Sequence, residues 1–193
     1  MSASRLLLPF TALAALLAAA PAWSGTVIPV GAFDSVALKD GGHVILRHGA
    51  VQRVTLLQGS TQYTSIRIDE DNPRQLVIDS CRHRCPREYR IEVEIVTPDI
   101  RGVSVSDGGS IESAGGFPQQ GKIAAAVEDG GKIDIRSIAA SEASAAINDG
   151  GKILLRAQSR LAAAINDGGE IVYWGDPRVS SAINDGGSVE KGG

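Results

Sequence analysis

Six copies of Asp-Gly-Gly punctuate the chain, with aspartates at Asp40, Asp107, Asp129, Asp149, Asp167 and Asp185. The last five stand 22, 20, 18 and 18 residues apart. A near-constant period of this size is the mark of a stacked, quasi-one-dimensional fold. Aligned on the aspartate, the flanking positions form columns. Two residues before it stand Val105, Val127, Ile147, Ile165 and Ile183; four after it stand Ile111, Ile133, Ile153, Ile171 and Val189. Three before it the residue is always small: Ser104, Ala126, Ala146, Ala164 and Ala182. Each copy reads as strand, corner, strand, because apolar residues alternate on both sides of the turn. The glycines supply positive φ at the corner, and the aspartate can accept a backbone hydrogen bond that pins it. Stacked about 4.8 Å apart, five such coils would bury every apolar column and make a rod of roughly 24 Å.

Helical periodicity is essentially absent. Only Ser137–Ala145 and Ala157–Ala164 tolerate a helix, and each must fit within one coil, so strand or loop is expected there. The first Asp-Gly-Gly stands apart from the others. Val36, Leu38, Val44 and Leu46 alternate around it, and residues 47–100 then interrupt the repeat. Within that interval Val51–Leu57, Thr64–Glu70, Gln75–Asp79 and Arg90–Val96 read as strands separated by turn residues. They are expected to form an antiparallel meander capping or flanking the coils.

Residues 1–24 read as a signal peptide: Arg5 is followed by the apolar run Leu6–Ala20, too short for a comfortable membrane span, with small-x-small cleavage rules met after Ala22 or Ser24. Its removal takes one arginine and no acid, so the net charge would move from −3 to −4. That balance gives no reason to expect nucleic acid. No later segment is long and apolar enough to span a bilayer. Residues 25–193 suit a single domain, with 47–100 as the meander and 101–193 as repeat coils. Scarce aromatics and 23 glycines suit a thin core of small and branched side chains. Cys81 and Cys85 are the only cysteines, and in an exported chain they favour a disulfide over a metal site completed by His83, which would lack a fourth ligand.

Phe33-Asp-Ser-Val-Ala-Leu through Arg47-His-Gly, a strand meander, and then Ile91-Glu-Val-Glu-Ile-Val-Thr-Pro-Asp-Ile-Arg-Gly-Val-Ser-Val-Ser-Asp-Gly-Gly together resemble the autotransporter-adhesin head domain family, the GIN domain, a domain of unknown function. The likeness covers nearly all of residues 25–193 and is most specific over 91–109. The family uses small and Gly-rich corners, whereas here the corner is consistently Asp-Gly-Gly. The resemblance implies an exported bacterial protein with a right-handed parallel β-helix, and it carries no established catalytic residues.

Two candidate sites follow from the residues. Stacked in register, Asp107, Asp129, Asp149, Asp167 and Asp185 would form a carboxylate column whose exposed neighbours repel by roughly 0.9 kcal/mol in water. Corner N–H groups, water, Lys132 and Lys152 would offset that repulsion; a bound cation such as calcium is the other option, helped by Asn148, Asn166 and Asn184. The chain lacks the Gly-Gly-x-Gly-x-Asp nonapeptide of calcium β-rolls, so no cofactor is expected. The asparagines read first as an amide ladder. The second candidate is basic: Arg74, Arg82, His83, Arg84, Arg87 and Arg90 gather around the cysteine loop, a patch for anionic glycan, lipopolysaccharide or membrane surface unless Asp79, Glu88 and Glu92 pair with them.

The expectation is therefore an exported, all-β, right-handed solenoid of 18–22-residue coils, periplasmic or at the cell surface, that binds without catalysis. The alternatives are a periplasmic structural protein that binds a protein partner and, behind it, a β-helical polysaccharide-active enzyme. Repetition of similar acids at every corner argues for scaffold over a unique active site. The last coil should expose an unpaired edge open to self-association.

Overall fold

The computed structural model describes residues 25–82 and 84–193. The expected signal peptide and its cleavage site lie outside the described residues, as does His83. The described residues are all-β, without a helix, and build one sheet of fifteen strands that mixes parallel and antiparallel pairing. In chain order the strands are β1 (Thr26–Ile28), β2 (Ser35–Lys39), β3 (His43–His48), β4 (Arg53–Gln58), β5 (Ser65–Ile68), β6 (Gln75–Asp79), β7 (Glu92–Thr97), β8 (Gly102–Ser106) and β9 (Ser110–Ser113). They continue with β10 (Gln120–Glu128), β11 (Lys132–Asp149), β12 (Lys152–Asp167), β13 (Glu170–Trp174), β14 (Arg178–Ile183) and β15 (Ser188–Lys191). The Ala-rich stretches lie inside β11 and β12, because alternate residues such as Ala143, Ala145, Leu161 and Ala163 point into the core.

The apolar columns meet in register. Before the corner, Leu38 pairs with Val105, Val105 with Val127, Val127 with Ile147, Ile147 with Ile165, and Ile165 with Ile183, all in parallel strands. After it, Val44 pairs with Ile111, Ile111 with Ile133, Ile133 with Ile153, Ile153 with Ile171, and Ile171 with Val189. Every member of both columns is buried up to Ile165 and Ile171. Burial of one such side chain is worth about 1.5–3 kcal/mol, so the columns act as two continuous stabilising ladders.

The expected meander is corrected. The four strands exist close to their predicted bounds, yet β6 and β7 do not pair with each other. β6 runs parallel to β2, with Ile78 beside Leu38, and β7 runs parallel to β3, with Val93 beside Val44. Residues 75–97 therefore extend the same two ladders, outside the first Asp-Gly-Gly turn. Their alternating Leu76, Ile78, Val93 and Ile95, all buried, can be covered only by a matching apolar column. Antiparallel pairing is confined to β5 on β6, β4 on β7 and β1 on β4, which cap that end.

The corners also stack. Asp40, Asp107, Asp129 and Asp185 adopt positive φ, a region that aspartate tolerates better than most residues, and both glycines of all six copies do so too. The carbonyl of the second glycine accepts the N–H that opens the next repeat: Lys132 to Gly109, Lys152 to Gly131, Glu170 to Gly151 and Ser188 to Gly169, each at 3.0 Å.

Candidate binding surfaces

The corners themselves are shaped by backbone conformation, with positive φ at both glycines of every copy. Among the described residues no three of His, Cys, Asp and Glu converge where a metal ion could sit. Side-chain donors reach two of the carboxylates: Asn148 Nδ2 donates to Asp149 at 2.7 Å and Asn166 Nδ2 to Asp167 at 2.9 Å. The asparagine ladder is present but loose, Asn166 donating to Asn148 and Asn184 to Asn166, both at 3.4 Å. An amide that already donates along the ladder needs a pure acceptor beside it, and a carboxylate is one. Lys152 does not serve the column: its Nζ lies 2.7 Å from Glu170, its register partner on β13.

The cysteine loop occupies the position of a missing corner. Residues 80–91 join β6 to β7 as Asp-Gly-Gly joins β2 to β3. The Ser80 N–H donates to Lys39 O at 3.1 Å and His43 N–H to Ile91 O at 3.0 Å, which docks the loop on the Asp40 corner. Cys81 and Cys85 are disulfide-bonded, with Cα atoms 5.9 Å apart. Sequence reasoning missed Tyr89, which anchors this loop. Its hydroxyl accepts from Ser60 N–H at 2.7 Å and bonds Thr64 Oγ1 at 2.8 Å, and its ring meets Tyr63 edge-on at 5.4 Å.

The basic cluster is smaller than expected. Arg74 leaves it: its guanidinium donates to buried Asp34 at 2.9 and 2.6 Å, and that hydrogen bond and charge raise its pKa. Asp79 is taken by Arg67 at 2.6 Å. Arg82, Arg84, Arg87 and Arg90 are exposed, and none forms a salt bridge among the described residues. The basic loop and the corner column thus lie along one edge of the sheet stack, arginines at one end and aspartates along the rest.

Two outward faces differ in character. Before the corner, the surface is a shallow groove of about 610 Å³ floored by Ala124, Ala126, Ser144, Ala146, Ala162 and Ala164, with no charged side chain in its lining. It offers shape without convergent polar groups. After the corner, the surface is charged. Arg136 grips Asp134 with two hydrogen bonds of 2.9 and 2.7 Å, and its guanidinium carbon stands 4.9 Å from the Trp174 ring centroid. Partial burial pushes the Asp134 carboxyl up, but the hydrogen bond and charge of Arg136 outweigh it and hold its pKa below the usual value. Around them lies a polar groove of about 380 Å³ bounded by Glu112, Ser113, Ser137 and Arg156. Sequence reasoning missed this groove too, although Trp174 is one of only two tryptophans, the other being Trp23.

Residues 119–177 match the family model described as "Putative auto-transporter adhesin, head GIN domain". The matched segment contains the Asp129, Asp149 and Asp167 corners and bears out the family resemblance, while residues 33–49 and 91–109, which carry that resemblance in the sequence, lie outside it. Among solved structures, the chain is similar to a "putative adhesin" from Bacteroides fragilis at 15% identity, covering 86% of this chain and 95% of that one, with a TM-score of 0.47. It is also similar to a "Putative lipid binding protein" from Parabacteroides distasonis (14% identity, 88% and 96% covered, TM-score 0.41) and to a "putative cell adhesion protein" from Clostridium sporogenes (11% identity, 87% and 99% covered, TM-score 0.38). No curated protein matches the chain. Among the described residues no helix is long and apolar enough to cross a membrane.

Proposed function

With its GIN-domain segment at residues 119–177 as premise, we propose that this chain is a non-catalytic, exported surface-binding module. Its scaffold is a right-handed parallel β-solenoid of 18–22-residue coils with an antiparallel cap, a reading supported by parallel register at one-repeat offsets through the last five corners. It works by display in the periplasm or at the cell surface. A rigid stack holds one basic loop in fixed register, and the loop takes an anionic glycan.

The observation that carries this reading is the set of four exposed arginines, without a salt bridge among the described residues, on a loop stapled by Cys81–Cys85 and anchored by Tyr89. Arginine forks on a pre-ordered loop recognise carboxylate or sulfate groups at little entropic cost. Retention on heparin resin tests it. The Arg82→Glu/Arg84→Glu variant should elute at clearly lower salt than the parent, and identical elution would remove the loop from the binding surface.

A specific observation also favours a protein partner, either a second copy or another envelope protein. Val179 and Ile183 stand 37% and 46% exposed, while Leu161 and Ile165, their partners one repeat earlier, are 0% and 2% exposed. The outer edges of β14 and β15 carry no further strand among the described residues. An open edge with bare apolar residues invites strand addition. External protease acting on intact cells separates surface from periplasmic display: a surface module is cut, a periplasmic one is shielded.

A further inference from the structure

The polar groove on the face after the corner holds charge that the fold does not use. Asp134 is neutralised by Arg136. Glu112 faces His43, whose Nε2 is 3.3 Å from its carboxylate and whose Nδ1 lies 2.8 Å from Ser110 Oγ. Arg156 remains: it is exposed, lines the groove, and has no ion-pair partner among the described residues. Its register partner on β13 is Trp174, so guanidinium and indole project side by side from adjacent strands.

The indole is held in place from three sides. Its Nε1–H donates to Gly193 O at 3.1 Å. The ring lies against Gly192, where a Cβ would come within 2.3 Å of it. The Arg136 guanidinium covers it, locked there by Asp134. The far wall presents hydroxyls: Ser137 Oγ donates to Ser113 O at 2.9 Å, and the two serine hydroxyls bond each other. The groove has the size of a small-molecule site, about 300–1,000 Å³, but its lining is polar, which suits a hydroxyl-rich ligand and not a lipid.

We propose that this groove binds a carboxylated sugar, with Arg156 forking the carboxylate, the serine hydroxyls meeting ring hydroxyls, and the edge of the Trp174 indole packing against the sugar's C–H face. A bidentate arginine–carboxylate pair supplies direction as well as attraction. The Arg156 guanidinium, free of an ion pair among the described residues, selects an acidic ring over its neutral counterpart even with Glu112 in the same lining. The site lies on a different face from the Arg82 loop and does not depend on it.

Trp174 makes the test direct. In the full chain carrying Trp23→Phe it is the single tryptophan, so intrinsic fluorescence reports on the groove alone. Titration with α-1,4-linked trigalacturonate should give a saturable change, and the neutral galactose trimer of the same linkage should give none. Arg156→Gln should weaken the acidic trimer at least tenfold while leaving the thermal midpoint unchanged, since the side chain is exposed and unpaired. Arg82→Glu/Arg84→Glu should leave the titration as it was. A flat titration, an equal response to both trimers, full binding by Arg156→Gln, or loss only in the Arg82/Arg84 variant would each overturn the assignment, the last by moving the acid to the basic loop.

Discussion

A Cβ placed on Gly151 would lie 2.8 Å from the carbonyl oxygen of Gly131 and 2.7 Å from Val127 Cγ1, one repeat earlier, whereas a Cβ on its neighbour Gly150 would meet nothing within 4 Å. The two glycines of each corner therefore have different jobs. The first answers only to positive φ; the second lets one corner sit on the next. Gly151→Ala should cost about 1–3 kcal/mol from overpacking, in addition to backbone strain at φ +103. Gly150→Asn should stay within about 1 kcal/mol of the parent, since asparagine tolerates this region. Urea unfolding of the two variants checks the asymmetry, and equal losses would show that conformation alone selects both glycines.

Asn166 stands in the middle of its ladder, donating to Asn148 and Asp167 and accepting from Asn184. Among the described residues the Asn184 side chain donates only to Asn166. Asn166→Ala should therefore lower stability by about 1 kcal/mol, near the net worth of an ordinary hydrogen bond, and Asn184→Ala by less. Thermal melts of both variants decide it; an unchanged midpoint for Asn166→Ala would make the ladder ornamental.

The Asp134–Arg136 pair should leave a mark on the acid side. Asp134 has a folded pKa held below its unfolded value of about 3.9, so its contribution is present above that pH and disappears as pH falls through the folded pKa. Parent protein should lose this increment below about pH 4, and Asp134→Asn should be weaker at neutral pH yet converge on the parent in acid. Chemical denaturation at pH 7, 4 and 2 provides the comparison. Parallel stability curves would exclude the linkage.

Ile183 is the more exposed of the two bare apolar residues, with Val179, at the open edge of β14. Light scattering should show the parent associating as concentration rises, and Ile183→Lys, which places a charge where a second copy would pack, should remain monomeric over the same range. A parent that stays monomeric throughout would remove self-association and leave the edge for a different protein.

Much of this architecture is local and so can be read along the chain. Alternation around each Asp-Gly-Gly predicts a strand on either side, and the pairing of Val127 with both Val105 and Ile147 follows the spacing of the repeats. The disulfide was legible from two cysteines in a chain whose sequence reads as exported. The groove was not, because Asp134, Arg136, Arg156 and Trp174 are spread over three successive repeats and only stacking brings them together. The basic patch was legible in composition but not in membership. Arg74 looks equivalent to Arg82 in sequence, yet it is drawn off by Asp34, forty residues away.

The sequence by itself determined the corners, the inward columns and the strands, since φ at glycine and the two-residue period of a strand are properties of neighbouring residues. Only the tertiary structure decided that residues 75–97 stack outside the first corner, that the cysteine loop replaces a turn, and which charges remain unpaired. Those outcomes depend on which apolar column covers which and on which acid reaches each arginine first, and such competition is settled across dozens of residues of chain. The physical reason is the same in each case: burial and ion pairing act through space, while turns and alternation act along the backbone.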